Sequence, residues 1–103
     1  MNKVTNIYEE LGCKNADEML AKSKIAFQIQ RVMESRKLTQ KETGQIIGIN
    51  QSKVSNILRG KLSGFSIERL IRFLNALDCD VEIRIKPKAK SKSKARLHVH
   101  ASL

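Results

Sequence analysis

The chain has 103 residues, a formal net charge of +10, 41% hydrophobic residues and no tryptophan. This length supports one small hydrophobic core with tails, which excludes a multidomain protein, and the positive charge favours a polyanionic partner. The sequence holds no run of about eighteen apolar residues and begins without the apolar stretch of a signal peptide, so we expect a cytoplasmic protein with no membrane partner.

The first predicted element is a long helix over residues 15–36, after an N-terminal arm, residues 1–14, whose sequence specifies no structure. Asn15 and Glu18 have the spacing of a capping box, in which each side chain bonds the other residue's backbone N–H. Apolar residues then recur at helical spacing: Met19, Leu20, Ile25, Ala26, Ile29, Val32 and Met33. This face is expected to pack on the core.

The second predicted helix begins after Thr39, which has the spacing of a capping box with Glu42. Ile46 and Ile47 are expected on its inner face. The helix therefore starts at about Gln40 and packs through its C-terminal half.

Two glycines shape the end of this second helix. Gly44 has no side chain, which allows another helix to cross at close range. Gly48 ends the helix, because a left-handed backbone at a helix end costs glycine almost nothing. We expect Ile49 to return the turn to the core.

Asn50 is a favourable N-cap for the third predicted helix, in which Val54, Ile57 and Leu58 share the inward face. The outer face of this helix carries Gln51, Ser52, Lys53, Ser55 and Asn56. Two short helices joined in this way place the second one in the major groove of duplex DNA. Gln and Asn pair there with adenine in bidentate fashion, so we predict that these outer residues contact bases.

Arg59, Gly60 and Lys61 follow directly and combine a glycine stop with two cations suited to phosphate contact. Residues 36–61 contain Glu42 as their only acidic residue, so the segment is basic. The plainer interpretation is a helical hairpin with a solvated polar face. The capping box, the glycine spacing and the charge together favour DNA binding.

A fourth helix is predicted after the loop at residues 64–66. Its inward residues are Ile67, Leu70, Ile71, Leu74 and Leu77. Phe65 and Phe73 are interpreted as core residues rather than as ligand-binding aromatics. The expected fold is therefore mainly α, with four helices in one helix-turn-helix domain over residues 15–80.

The period changes to strict alternation at residues 81–87, which predicts a β-strand. A lone strand needs a partner, and a twofold-related copy can pair with it in antiparallel fashion. We therefore expect a homodimer with Val81, Ile83 and Ile85 in its interface. The alternative is pairing with the N-terminal arm of the same chain.

Residues 88–103 alternate lysine with small residues and contain no acidic residue, which predicts a basic tail that is disordered when free. The tail either contacts phosphate non-specifically or serves only to keep the protein soluble. His98 and His100 are too few ligands for a metal, and Cys13 and Cys79 lie in no ligand pattern. We expect free thiols, no metal and no cofactor.

The predicted helix-turn-helix resembles the lambda-repressor-like DNA-binding domains, the Cro/repressor or XRE type. The likeness is carried by Leu38-Thr39-Gln40, Gly48, Gln51-Ser52-Lys53-Val54-Ser55 and Arg59-Gly60-Lys61. The flanking residues, 15–20 and 62–83, look like those of small stand-alone regulators that include HigA-like antitoxins. The resemblance covers roughly residues 7–86.

The resemblance implies that Gln40 contacts phosphate and braces Gln51, which reads a base. It also implies that Ser52, Lys53 and Asn56 reach base edges. Beside Gln40, we expect Lys41 to contact phosphate as well.

The sequence thus predicts a dimeric, sequence-specific transcriptional regulator of double-stranded DNA with a near-palindromic operator. We expect a repressor, because no segment looks like an activation domain. The alternative is an antitoxin that neutralises a small ribonuclease-like toxin and autoregulates its operon. No catalytic constellation or phosphate-binding loop is present, so we expect no enzyme activity.

Overall fold

The computed structural model describes residues 15–101, and within them the chain forms four helices. Helix α1 spans Ala16–Arg36, α2 Gln40–Ile47, α3 Gln51–Leu58 and α4 Ile67–Ala76. The expected mainly α architecture is confirmed, and the predicted N-terminal arm lies outside the described residues. None of these helices is long and apolar enough to cross a membrane.

The hydrophobic core lies where α1 packs along α4 and also meets α3. Its largest fully buried apolar side chains are Ile29, Ile57, Leu70, Leu77 and Val54. Phe65 and Phe73 meet edge to face in this core, with ring centroids 6.0 Å apart. Both rings are 5% exposed, which confirms that they are packing residues.

Helix α1 begins differently from the sequence prediction. Asn15 has a left-handed backbone, with φ 56°, and its side chain makes no capping hydrogen bond. A cap needs an extended backbone to aim its side-chain oxygen at helix N–H groups, so the predicted capping box with Glu18 is wrong. Asp17 and Glu18 favour the helix start through their charge at its positive end. The buried face of α1 is also narrower than predicted, since Met19 is 38% exposed.

The predicted β-strand at residues 81–87 does not form, and no residue in the range 15–101 is in a strand. A strand needs a neighbouring backbone to pair its N–H and C=O groups, and the described part of this single chain places none beside the segment. Val81 packs against the domain's own core, while Ile83 is 76% and Ile85 94% exposed. The alternative partner, the N-terminal arm, lies outside the described residues.

The C-terminal segment returns to the helical domain after this extended stretch. The chain turns where the Lys92 N–H donates to the Ala89 carbonyl at 3.0 Å. Further along, Arg96 bonds Asp17 in the first turn of α1, and Val99 packs against the core. Residues 96–101 therefore lie along α1.

Candidate nucleic-acid interface

The N-terminus of α2 is held by the predicted capping box. Thr39 Oγ1 accepts a hydrogen bond from the Glu42 N–H at 3.0 Å, and Glu42 Oε1 accepts one from the Thr39 N–H at 2.9 Å. These bonds, above all the one from the Thr39 backbone, lower the pKa of Glu42, so its carboxylate is charged at neutral pH. The box positions a first turn that carries half-buried Gln40 and exposed Lys41.

The turn between α2 and α3 depends on both predicted glycines. Gly48 has φ 80° and donates its N–H to the Gly44 carbonyl at 2.8 Å. A Cβ at Gly44 would lie 2.6 Å from the backbone oxygen of Ile49, a distance that real Cβ atoms essentially never show. Ile49 packs against the core as predicted. The close neighbour that requires glycine at position 44 is thus the turn backbone itself.

The inner face of α2 differs in part from the prediction. Ile47 is 9% exposed, as expected, but Ile46 is 45% exposed. Thr43, Gly44 and Ile47 share the buried face at helical spacing. Ile46 therefore lies at the edge of the packed surface.

Helix α3 is held from its cap and from its inner face. Asn50 Oδ1 accepts hydrogen bonds from the Lys53 N–H at 2.9 Å and from the Ser52 hydroxyl at 2.8 Å. Val54 and Ile57 are 1% and 2% exposed. Because these two residues are locked inward, the opposite face of α3 is turned outward in a fixed orientation.

The structure brings the predicted base-contacting residues together on this outward side. Gln51, Ser52 and Lys53 are exposed in the first turn, and Ser55 and Asn56 are half-buried one turn later. The predicted bracing of Gln51 by Gln40 stays a prediction. The exposed first turn is the part of α3 that is most accessible to a groove.

The C-terminal end of α3 carries the two predicted phosphate-contacting cations. Gly60 has φ 76°, and the Lys61 N–H donates to the Asn56 carbonyl at 2.8 Å, which closes the helix. Arg59 Nη2 donates to Asn56 Oδ1 at 3.2 Å. Arg59 and Lys61 are exposed beside the outward face of α3.

Two contacts were missed by sequence reasoning. The Arg69 guanidinium stacks on Phe65 and Phe73, 5.3 and 5.5 Å from the ring centroids. The spacing of four residues between Arg69 and Phe73 on one helix is a signal that could have indicated their contact, whereas Phe65 precedes the helix. Asp17 and Arg96 are 79 positions apart, and no local pattern joins them.

Metal-binding chemistry has little support in residues 15–101, where no group of three or more His, Cys, Asp or Glu is placed to hold an ion. The rings of His98 and His100 have centroids 6.3 Å apart. Cys79 is a half-buried free thiol, and Cys13 lies outside the described residues. The candidate site is the polar surface of α2 and α3, because it carries the exposed first turn of α3 and the exposed cations Arg59 and Lys61.

Comparison with known proteins agrees with this geometry. The helix-turn-helix domain family matches residues 7–86. A solved structure of a protein named as an XRE family transcriptional regulator is 43% identical, and the match covers 86% of this chain and 100% of that chain, with a TM-score of 0.80. No curated protein matches the chain.

Proposed function

Since the chain belongs to the helix-turn-helix domain family and is an XRE-type DNA-binding regulator of transcription, we propose that it binds a near-palindromic operator as a homodimer and represses transcription there. The observation that supports this most directly is the outward first turn of α3, held by the Asn50 cap and the buried pair Val54 and Ile57. A rigid helix with polar residues at its exposed start suits readout of base edges in the major groove.

Base readout is assigned to the outward residues of α3. Gln51 and Lys53 are exposed in the first turn and enter the groove first, with Gln51 able to make a bidentate pair with adenine. Ser52 contacts a base edge beside them. Ser55 and Asn56 lie one turn later, where only bases close to the domain surface come within reach.

Backbone contacts are assigned to residues on either side of the recognition helix. Gln40 and Lys41 lie in the first turn of α2, and Arg59 and Lys61 follow α3. Contacts of this kind set the register of the protein on the duplex and carry no sequence information. They make the affinity fall as the salt concentration rises.

A homodimer follows from the small reach of one recognition helix, which reads too few bases to select an operator among genomic competitors. A twofold pair places two α3 helices about 34 Å apart, opposite half-sites about 10 bp apart. The exposed side chains of Ile83 and Ile85 offer an apolar contact to a second copy, beside Val81, which packs against the core of its own domain. The antitoxin function implied by the HigA-like flanks stays a prediction.

Selection of bound sites from a random duplex pool tests the proposed function directly. We expect the wild-type protein to select a near-palindromic site. Gln51→Ala should weaken that site by about 1 to 3 kcal/mol and leave random DNA nearly unaffected. Gln45→Ala is the matched control, because Gln45 is an exposed glutamine on α2. Equal losses on the selected site and on random DNA would contradict the assignment of Gln51.

A further inference from the structure

The C-terminal segment is attached to the domain at two separate places. At its beginning, just after α4, Cys79 and Val81 pack against the hydrophobic core. At its end, Val99 packs against the same core and lines an opening of 280 Å³ with Phe27 and Gln28 of α1. Residues 82–95 run between these two attachments, and we refer to them as the lysine loop.

The second attachment, residues 96–101 on α1, forms a clasp. The Arg96 guanidinium bonds the Asp17 carboxylate through Nε, at 3.1 and 3.2 Å, and through Nη2, at 2.6 Å. The Leu97 N–H also donates to Asp17 at 3.4 Å. The two charged side chains are 27% and 28% exposed, so solvent screens this charge-assisted contact only in part.

The lysine loop is strongly basic and is exposed in the single chain, and its lysines all follow the proposed dimer contact at Ile83 and Ile85. Every residue in it is exposed. Its cations are Arg84, Lys86, Lys88, Lys90, Lys92 and Lys94, and its only acidic residue is Glu82. A loop with this charge, attached at both ends, presents its lysines in a restricted region beside the domain.

We propose that the lysine loop is a second contact surface for the duplex phosphate backbone, and that the clasp positions it. This inference rests on the proposed function, because it assigns a further DNA contact to the same protein. Each lysine that neutralises a phosphate releases condensed counterions, which supplies affinity without reading sequence. A loop held at both ends has less conformational freedom to lose on binding than a tail held at one end.

The reach of the loop is sufficient for such a contact. Fully extended out and back, residues 82–95 can place their midpoint, at Lys88 and Ala89, at most about 23 Å from their two ends. The two shorter dimensions of the protein are 27 and 24 Å. Lys90 and Lys92, six and four residues before Arg96, can extend about 20 and 13 Å from the clasp, so the loop carries its lysines well clear of the domain surface.

The first test measures the salt dependence of affinity for duplex DNA with the full chain. Lys90→Gln/Lys92→Gln should make the negative slope of log affinity against log salt shallower by about one to two units. The control, Lys22→Gln/Arg72→Gln, removes the same charge from cations that have acidic partners on their own helices. It should change the slope much less. Equal slopes for wild type and the loop variant, or equal losses in both variants, would overturn the proposal.

The second test opens the clasp. Asp17→Asn removes the carboxylate charge that Arg96 bonds, and Glu18→Gln makes the same change of charge at the next residue and leaves the Asp17–Arg96 pair in place. At fixed salt, Asp17→Asn should lower DNA affinity about threefold to tenfold, because the freed tail has more freedom to lose on binding. Glu18→Gln should leave affinity unchanged or slightly higher. Equal gains in DNA affinity in Asp17→Asn and Glu18→Gln would show that the clasp does not position the loop.

These measurements separate failure of the loop from failure of the proposed function. If the wild-type protein selects a site and its loop variants keep the full salt slope, the operator function stands and the loop contact is contradicted. A wild-type protein without measurable affinity for any duplex would overturn both. Trypsin cleavage within residues 82–95 provides a readout without DNA, and it should be faster in Asp17→Asn than in Glu18→Gln.

Discussion

The helix-turn-helix and the C-terminal segment show two ways of placing polar residues on one small domain. Between Thr39 and Arg59, each helix end is closed by hydrogen bonds that span two to five residues, such as those of the Thr39 box and the Asn50 cap. Residues 81–101 have no helix or strand, and their position depends on core packing and on a contact between Asp17 and Arg96, 79 positions apart. Local bonds set the helix ends of the first region, and core packing of residues such as Val54 and Ile57 then orients it. The position of the second region depends wholly on partners elsewhere.

The largest expected effect concerns the proposed contact of the C-terminal segment with a second copy. Ile83→Lys should weaken the homodimer by about 3 kcal/mol or more, because a twofold interface loses the apolar side chain twice and gains two charges. Sedimentation should then show a monomer at micromolar concentration, and circular dichroism should show that it is still helical. This monomer should bind the operator weakly. Ile46→Lys, on α2, is the control and should remain dimeric. An Ile83→Lys protein that is monomeric and binds the operator as tightly as wild type would contradict the dimer proposal.

The turn of the helix-turn-helix should be the least tolerant part of the locally specified region. Gly44→Ala should lower the free energy of unfolding by about 1 to 3 kcal/mol, because its Cβ would meet the Ile49 carbonyl oxygen at 2.6 Å. Gly64→Ala is the matched control, since no atom lies within 4 Å of a Cβ built there. Urea denaturation followed by circular dichroism measures both changes. Equal stabilities of the two variants would show that the turn moves aside at little cost.

The success and failure of sequence reasoning follow the same division. The Thr39 capping box, both glycines of the turn and the Asn50 cap are chemical relations over a few residues, so the printed sequence contains all the partners. Asn15 failed as a cap because its backbone is left-handed, which residue identity alone did not reveal. The predicted strand does not form, because alternation at residues 81–87 indicates an apolar face but does not identify the neighbouring strand that must supply the hydrogen bonds. The Arg96 contact, between distant positions, left no periodic signal.

The ion pair of the clasp should contribute more to stability than an exposed pair of the same type. The side chains of Arg72 and Glu68 are 73% and 74% exposed, against 27% and 28% for Arg96 and Asp17. Arg96→Gln should therefore lower the free energy of unfolding by about 1 kcal/mol, and Arg72→Gln by only a few tenths, about 0.3 kcal/mol. Thermal unfolding at low and high salt compares the pairs. Identical losses would mean that the clasp is too well solvated to hold the segment.

The smallest expected effect is the contribution of the Glu42 charge to the capping box. The pKa of Glu42 is lowered from its ordinary value of 4.5, chiefly by the hydrogen bond from the Thr39 N–H. A carboxylate whose pKa is lower in the folded protein stabilises the fold above its ordinary pKa, and this stabilisation is lost as the pH falls through the folded value. The stability gap between wild type and Glu42→Gln should therefore be constant from about pH 7 to pH 5 and should narrow below pH 4.5. Urea titrations at a series of pH values measure this gap. A gap that stays constant or widens on acidification would mean that the charged carboxylate does not favour the start of α2.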